Sequence, residues 1–331
     1  MKKHLTTIIL VLLFFFGLSL LLYPRVADYW NSFHQSRAIN SYIERVSKID
    51  NSVYDQIISS AREYNRSLGA DGFRWFLTDE QREEYNSELN LDDNGVMGYI
   101  TIDKINIQLP IYHGTKESVL QTSIGHIEWS SLPVGVSCWD SKARDGMYIT
   151  DPTEGSHCVL SAHRGLPSAR LFSDLDKLVE GDTFSLNILG ETLTYQVDQI
   201  RVVVPSDLSE LQIVSGKDYC SLVTCTPYGV NTHRLLVRGH RVNNPQGDIK
   251  VVSEAIQYKT VYIAPVVALP IILILLVLMM ISTGRQRTHN RARSAAYDRY
   301  TNQGTITVIE TDLDEIARNE RLRKRRGKKD E

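Results

Sequence analysis

Cysteine is scarce in this chain: four residues among 331. That is too few for a disulfide scaffold. Proline (10) and glycine (20) stand at ordinary levels, which excludes a collagen-like or low-complexity chain. There is no internal repeat. Nor is there an excess of one charge: 37 Lys and Arg face 39 Asp and Glu, a net −2. A domain built to grip nucleic acid is therefore excluded, and no nucleic-acid partner is expected. His126, His157, His233 and His240 do not fall at metal-ligand spacing and read as structural or surface residues, so no metal and no cofactor are expected. What is present is apolar: 42% of residues are hydrophobic, ample for one large core.

The near-zero net charge hides an uneven distribution. Residues 285–331 carry +5 (13 basic, 8 acidic), residues 1–3 carry +2, and the stretch between them carries −9. Charge-free apolar runs occupy 5–22 and 261–281. Each is long enough to cross a hydrocarbon core of about 30 Å as a helix. Pro265 and Pro270 would kink the second run. Lys2 and Lys3 precede the first run, and Arg285, Arg287, Arg291 and Arg293 follow the second. By the positive-inside tendency both termini are cytoplasmic and the acidic middle lies outside. Tyr23-Pro24-Arg25-Val26-Ala27 lacks a small-x-small cleavage site, so an uncleaved signal anchor is expected rather than a removed signal peptide. The basic run 321–329 is read as meeting anionic head groups or as solvated.

Between the runs the pattern changes twice. Ile39, Tyr42, Ile43, Val46 and Ile49, continued by Val53, Ile57, Ile58 and Ala61, recur at helical spacing and predict one or two amphipathic helices. Residues 72–90 show no clear period and read as loop or short helix. From Gly98 the chain turns to short β-branched and aromatic runs: 98–102, 105–112, 157–162, 183–189, 192–204, 219–224 and 234–242. Many short strands with turns between them predict a mainly β barrel or sandwich. The expected organisation is a start and anchor helix (1–23), an outer helical region (24–96), a β domain (97–245), a linker (246–260), a second membrane helix (261–281) and a basic cytoplasmic tail (282–331).

Three residues at strand ends of this β domain are candidates for chemistry. Cys225 closes an apolar strand just before the turn Thr226-Pro227-Tyr228-Gly229. His163 follows a strand and precedes Arg164-Gly165-Leu166-Pro167, and Arg234 opens the strand after Cys225. A thiol nucleophile needs a proton partner and a group that stabilises an oxyanion. Cys, His and Arg would supply these if the three strand ends converge, which spacing alone does not show. Taken singly, they read equally as a buried thiol and two surface basic residues.

The stretches GYITIDKINIQLPIYHGT, SLPVG, SAHRGLPSARLFSDLDKLVEGDTF, LGETLTYQVDQIRVVVPSD and LVTCTPYGVNTHRLLVRG together resemble the sortase family, and within it the class C, pilus-assembling sortases. The resemblance runs from about residue 97 to 241. It implies an eight-stranded sortase-type β-barrel with N-terminal amphipathic helices, flanked by two transmembrane helices, on the membrane of a Gram-positive-type bacterium. It implies Cys225 as nucleophile, His163 as acid/base, and Arg234 as the oxyanion-binding or substrate-orienting residue. The implied reaction cleaves the Thr–Gly bond of an LPXTG-like sorting signal on a secreted pilin through a thioacyl-enzyme. A lysine amine of the next pilin then resolves the thioester. Two alternatives stay open: attachment of surface proteins to a peptidoglycan precursor, and a non-catalytic scaffold that binds sorting signals.

Departures from the family pattern set further expectations. No Asp-Pro-aromatic motif precedes the barrel, so residues 72–94, with Trp75 and Phe76, are expected to lie across or beside the Cys225 groove with a weak grip. Residues 136–156 read as a surface-loop insertion, and Ser161-Ala162 stands where Thr-Gly is usual. Cys138 and Cys158 bracket the insertion, and a disulfide between them is one option. Cys158 and Cys220 each lie five residues before a site residue, so they would sit side by side if their strands are parallel neighbours, as in sortases. Pairing geometry is demanding, and two buried free thiols are the expected state. Cys220 and Cys225 should point to opposite faces of their strand.

Overall fold

The computed structural model describes residues 2–71, 76–91, 94–136, 138–140, 147–244, 272 and 318–319. Residues Met1–Ile256 form one compact unit and Gln257–Glu331 a second. Apart from Ile272, the expected second membrane helix lies outside the described residues, as does nearly all of the basic tail.

Helix α1 runs over Lys2–Val46 and contains the first apolar run. Its apolar window has a mean hydropathy of 2.2, and none of that window is buried. A helix this long and apolar could span a membrane. Helix α2 (Asn51–Asp71) follows. Ile39 and Tyr42 of α1 are buried, as are Ile58, Ala61, Tyr64 and Leu68 of α2. Ile43, Val46, Ile49 and Ile57 pack partly against them. The predicted stripe therefore holds except at Val53, which is exposed on the first turn of α2.

The barrel is closed, in the order β1-β2-β3-β6-β9-β10-β8-β7. Its strands are β1 (Val96–Ile102), β2 (Ile107–His113), β3 (Ile124–His126), β6 (Ser156–Ser161), β7 (Thr183–Ile188), β8 (Glu191–Val203), β9 (Asp218–Thr226) and β10 (His233–Val242). Two neighbouring pairs, β2–β3 and β6–β9, are parallel; the other pairs are antiparallel. Closure leaves no sheet edge to protect. Alternate residues fill the interior, where Phe184 and Tyr195 stack with centroids 5.6 Å apart. Seven of these strands follow from their β-branched and aromatic runs. The eighth, β3, spans only three residues and has no period to read.

The insertion departs from a simple loop. Within it β4 (Cys138–Asp140) pairs antiparallel with β5 (Met147–Ile149), in register Trp139↔Tyr148. Residues 137 and 141–146 lie outside the described residues.

Residues 76–91 are tied to the barrel. Helix α3 (Asp79–Ser87) begins with a reciprocal capping box: Gln81 N donates to Thr78 Oγ1, and Thr78 N donates to Gln81 Oε1. Its Tyr85 is fully buried and Leu89 is 1% exposed. The Tyr85 hydroxyl accepts from Gly114 N (3.0 Å) and lies 2.9 Å from His126 Nδ1. This segment is thus keyed into the core beside β2 and β3 instead of resting loosely over strand ends. Phe76 is exposed, and residues 73–75 with Trp75 lie outside the described residues.

His157 introduces a pH dependence. It is 1% exposed, and burial pushes its pKa from 6.5 down to about 4, against a smaller raising effect from the Gln212 carbonyl. Burial also lowers His113. Between about pH 6.5 and 4 the unfolded chain takes up a proton at His157 that the folded chain refuses. Stability is therefore full above that window and falls as the pH drops through it, by roughly 3 kcal/mol in total for His157. Denaturation midpoints at pH 7 and pH 4.5 should differ less in His157→Gln than in the wild type. An equal pH dependence in both would contradict this role.

Candidate active site

The turn after β9 folds the chain back on itself. Asn231 N and Val230 N both donate to Pro227 O (3.0 and 3.1 Å), and Gly229 and Asn231 take positive φ values of 76° and 60°. β10 then returns antiparallel, placing Arg234 directly across from Cys225. In a directly opposed pair the two Cβ atoms lie on the same face. The Arg234 guanidinium turns back over this loop, where Nη1 donates to Asn231 O (3.3 Å) and His233 O (3.1 Å).

His163 arrives from the other side. β6 lies parallel to β9 with Ser161 in register with Val223. Two residues beyond that pair stand His163 and Cys225, and the bonds around them keep the strand ends together. Thr224 Oγ1 donates to Ala162 O (2.8 Å), and Ala162 N donates to Val223 O (3.2 Å). On the far side, Arg164 Nη1 donates to Thr226 Oγ1 (3.3 Å). The residues flanking His163 are thus bonded to those flanking Cys225. Gly165 closes the loop at φ +80°, a conformation that favours glycine, and a Cβ there would press on the Tyr228 ring at 3.0 Å.

The structure therefore brings Cys225, His163 and Arg234 to one rim of the barrel. Cys225 is half-buried and the His163 side chain is 28% exposed, so both can be reached. Two further side chains complete this rim. His163 Nε2 lies 3.3 Å from Glu117 Oε1, at the start of the short helix α4 (Glu117–Leu120). Arg164, whose side chain is 9% exposed, pairs with Asp176 at 2.6 Å. Sequence reading missed both. Glu117 is 46 residues from His163 with no motif between them, and Arg164 sits inside a motif whose role fell to its neighbour.

The other two described thiols lie apart from this chemistry. Cys158 and Cys220 are register partners on β6 and β9, not joined by a disulfide and buried at 1% and 0% exposure, as the parallel-neighbour reading expected. Burial pushes the Cys220 thiol well up, and the neighbouring Cys158 thiol adds to this. Cys220 faces the core while Cys225, of opposite parity, reaches the rim. The Cys138 side chain lies outside the described residues. Iodoacetamide at neutral pH should therefore modify Cys225 and spare Cys158 and Cys220, read by peptide mass mapping of the folded protein. Labelling of Cys158 or Cys220 at a comparable rate would contradict the burial argument. Among the described residues, no group of three or more His, Cys, Asp or Glu side chains is placed to hold a metal ion.

A protein-family model described as "Sortase domain" matches residues 100–242. Sortase D of Bacillus subtilis is 28% identical over 148 residues, covering 44% of this chain and 63% of that relative. The crystal structure of sortase C1 from Streptococcus agalactiae is 58% identical with a TM-score of 0.57, over 63% of this chain and 99% of that one. Clostridium perfringens sortase C with the C-terminal cell wall sorting motif is 40% identical with a TM-score of 0.52, over 63% of this chain and all of that one.

Proposed function

The chain belongs to the sortase family, whose members are cysteine transpeptidases, and from that premise we propose that it polymerises pilins. In this reading Cys225 is the nucleophile, His163 the acid/base and Arg234 the group that holds the developing oxyanion or the substrate backbone. The observation that carries it is the double bracket described above: 162 bonded to 224, 164 to 226, and 234 opposite 225. A thiol, an imidazole and a guanidinium then share one accessible rim.

The reaction runs in two balanced steps. The Cys225 thiolate attacks the threonine carbonyl carbon of the Thr–Gly bond in an LPXTG-like signal. The C–N bond breaks, and imidazolium His163 gives its proton to the leaving glycine amine. A thioester remains on Sγ. A lysine amine of a second pilin then attacks that carbonyl, the C–S bond breaks, and the proton lost by the amine passes to His163. Thioesters acylate amines readily, so no nucleotide is consumed. Arg234 stays charged throughout and provides a fixed positive partner for the tetrahedral oxygen. Glu117 Oε1, 3.3 Å from His163 Nε2, would help to orient the ring.

The apolar run of α1 would anchor the protein in the membrane, with the barrel on the outer face. The acceptor is the part of this reading to test. Solubilised full-length protein is incubated with a sorting-signal peptide and either a pilin or a peptidoglycan-type amine. An isopeptide bond to a pilin lysine, found by mass spectrometry, is the expected product. Exclusive transfer to the peptidoglycan amine would make the protein a surface-protein anchoring enzyme instead.

A further inference from the structure

Beyond Leu22 helix α1 has two opposed faces. Asp28, Asn31, Gln35, Ile39 and Tyr42 recur at steps of three and four residues and so share one side. Each meets the barrel or its loops. Asp28 Oδ1 accepts from Arg170 N (3.1 Å), Asn31 Nδ2 donates to Ser168 O (2.9 Å), and Gln35 Nε2 donates to Thr122 O (2.5 Å). Ile39 and Tyr42 are buried, the latter donating to Met97 O (2.8 Å). The order of these contacts is informative. The first three, nearest the apolar run, fall on the segment that follows His163 and the segment that follows Glu117. The catalytic rim is therefore the part of the barrel tied closest to the membrane-spanning run.

The opposite side of the same stretch is apolar and uncovered. Tyr23, Val26, Trp30 and Phe33 also recur at steps of three and four residues, and they are 58%, 57%, 64% and 47% exposed. Arg37, one step beyond Phe33, continues that side and is exposed too. Four large apolar side chains in one stripe are more than scattered surface residues.

We propose that this stripe lies in the head-group layer of the outer leaflet, so that the His163 rim is held against the membrane surface. The proposal rests on the membrane-anchored reading above. Three observations choose lipid over a protein partner. The stripe continues directly from the apolar run. Tyr and Trp are the residues favoured at the head-group level, and Arg37 at the end of the stripe suits anionic lipid. Pro24 stands just past the run, between Tyr23 and the rest of the stripe, inside the helix. Lacking an N–H, it removes the ladder bond at which a helix can bend. A straight continuation would lift Phe33 roughly 16 Å above Leu22 at about 1.5 Å per residue. The proposal therefore requires α1 to bend at Pro24 on the membrane, so that the stripe stays within the interfacial layer. The rim contacts, on the upper face, then stand about one helix diameter, ~10 Å, above it.

Trp30 provides the probe. Full-length protein is reconstituted into vesicles of phosphatidylcholine and phosphatidylglycerol carrying a nitroxide quencher at a shallow or a deep acyl position. Wild type and Trp30→Phe are compared, and their difference is the Trp30 emission. The expected result is strong quenching of that difference by the shallow label, weaker quenching by the deep label, and protection from aqueous iodide. Trp30 emission open to iodide and untouched by either label would overturn the proposal. So would protection from iodide without lipid quenching, which would mean that protein covers the stripe. Co-flotation with the vesicles reports separately whether the anchor itself is real, and the readout does not depend on transpeptidase activity.

Discussion

Cys225→Ala is expected to lose cleavage of a sorting-signal peptide by a factor on the order of 10³ or more, as removal of a covalent nucleophile does elsewhere. The fold should survive. Cys225 sits at a strand end and is half-buried, so loss of its sulfur should change stability by no more than about 1 kcal/mol. Cys220→Ala is the matched control, five residues earlier on the same strand and facing the core. It should keep activity at a cost of about 1 kcal/mol for the small cavity. Peptide cleavage and a thermal melt of each solubilised variant separate the two. Cleavage retained in Cys225→Ala would remove Cys225 from the mechanism.

Tyr85→Ala should produce the largest loss of stability. The ring is fully buried against β2 and β3, and truncating it costs roughly 3–5 kcal/mol for contacts and cavity. The change also strips the partner from Gly114 N and from His126 Nδ1, and leaving such groups unsatisfied adds about 1–3 kcal/mol each. Tyr85→Phe isolates the hydroxyl and should cost only the latter part. Denaturant titration of both variants measures the difference. This result also bears on gating. If α3 were a detachable cover, Tyr85→Ala would raise peptide cleavage sharply with little loss of stability. That outcome would contradict the keyed-in role of this segment.

Much of the fold could be read in the sequence because its signals are local. Seven barrel strands announce themselves through β-branched runs, and the helices through the Ile39–Tyr42 and Ile58–Ala61 spacings. β3 could not be read, since Ile124-Gly125-His126 is too short to alternate and owes its strand form to β2 and β6 on either side. The hairpin in the insertion was hidden by the Asp, Gly and Pro content around it. α3 could not be told from a loop, because Tyr85 alone of its residues is buried, too few for a periodic stripe. At the site, the residue types at strand ends were legible, and the resemblance gave them roles. Their convergence was not legible: it depends on the parallel β6–β9 pairing and on the Thr224–Ala162 and Arg164–Thr226 bonds, which join residues 62 apart. Glu117 and the Asp28, Asn31 and Gln35 contacts were invisible for the same reason. Long-range polar pairs leave no periodic trace in a single chain.

The central claim is that Cys225 carries the acyl group between the two halves of the reaction. The most direct measurement is the intact mass of the solubilised full-length protein after brief incubation with a sorting-signal peptide and no amine, followed by acid quench and peptide mapping. The account predicts an added mass equal to the peptide up to its threonine, located on Cys225 and released by hydroxylamine. Cleaved peptide with no such adduct, or an adduct on any other residue, would contradict it.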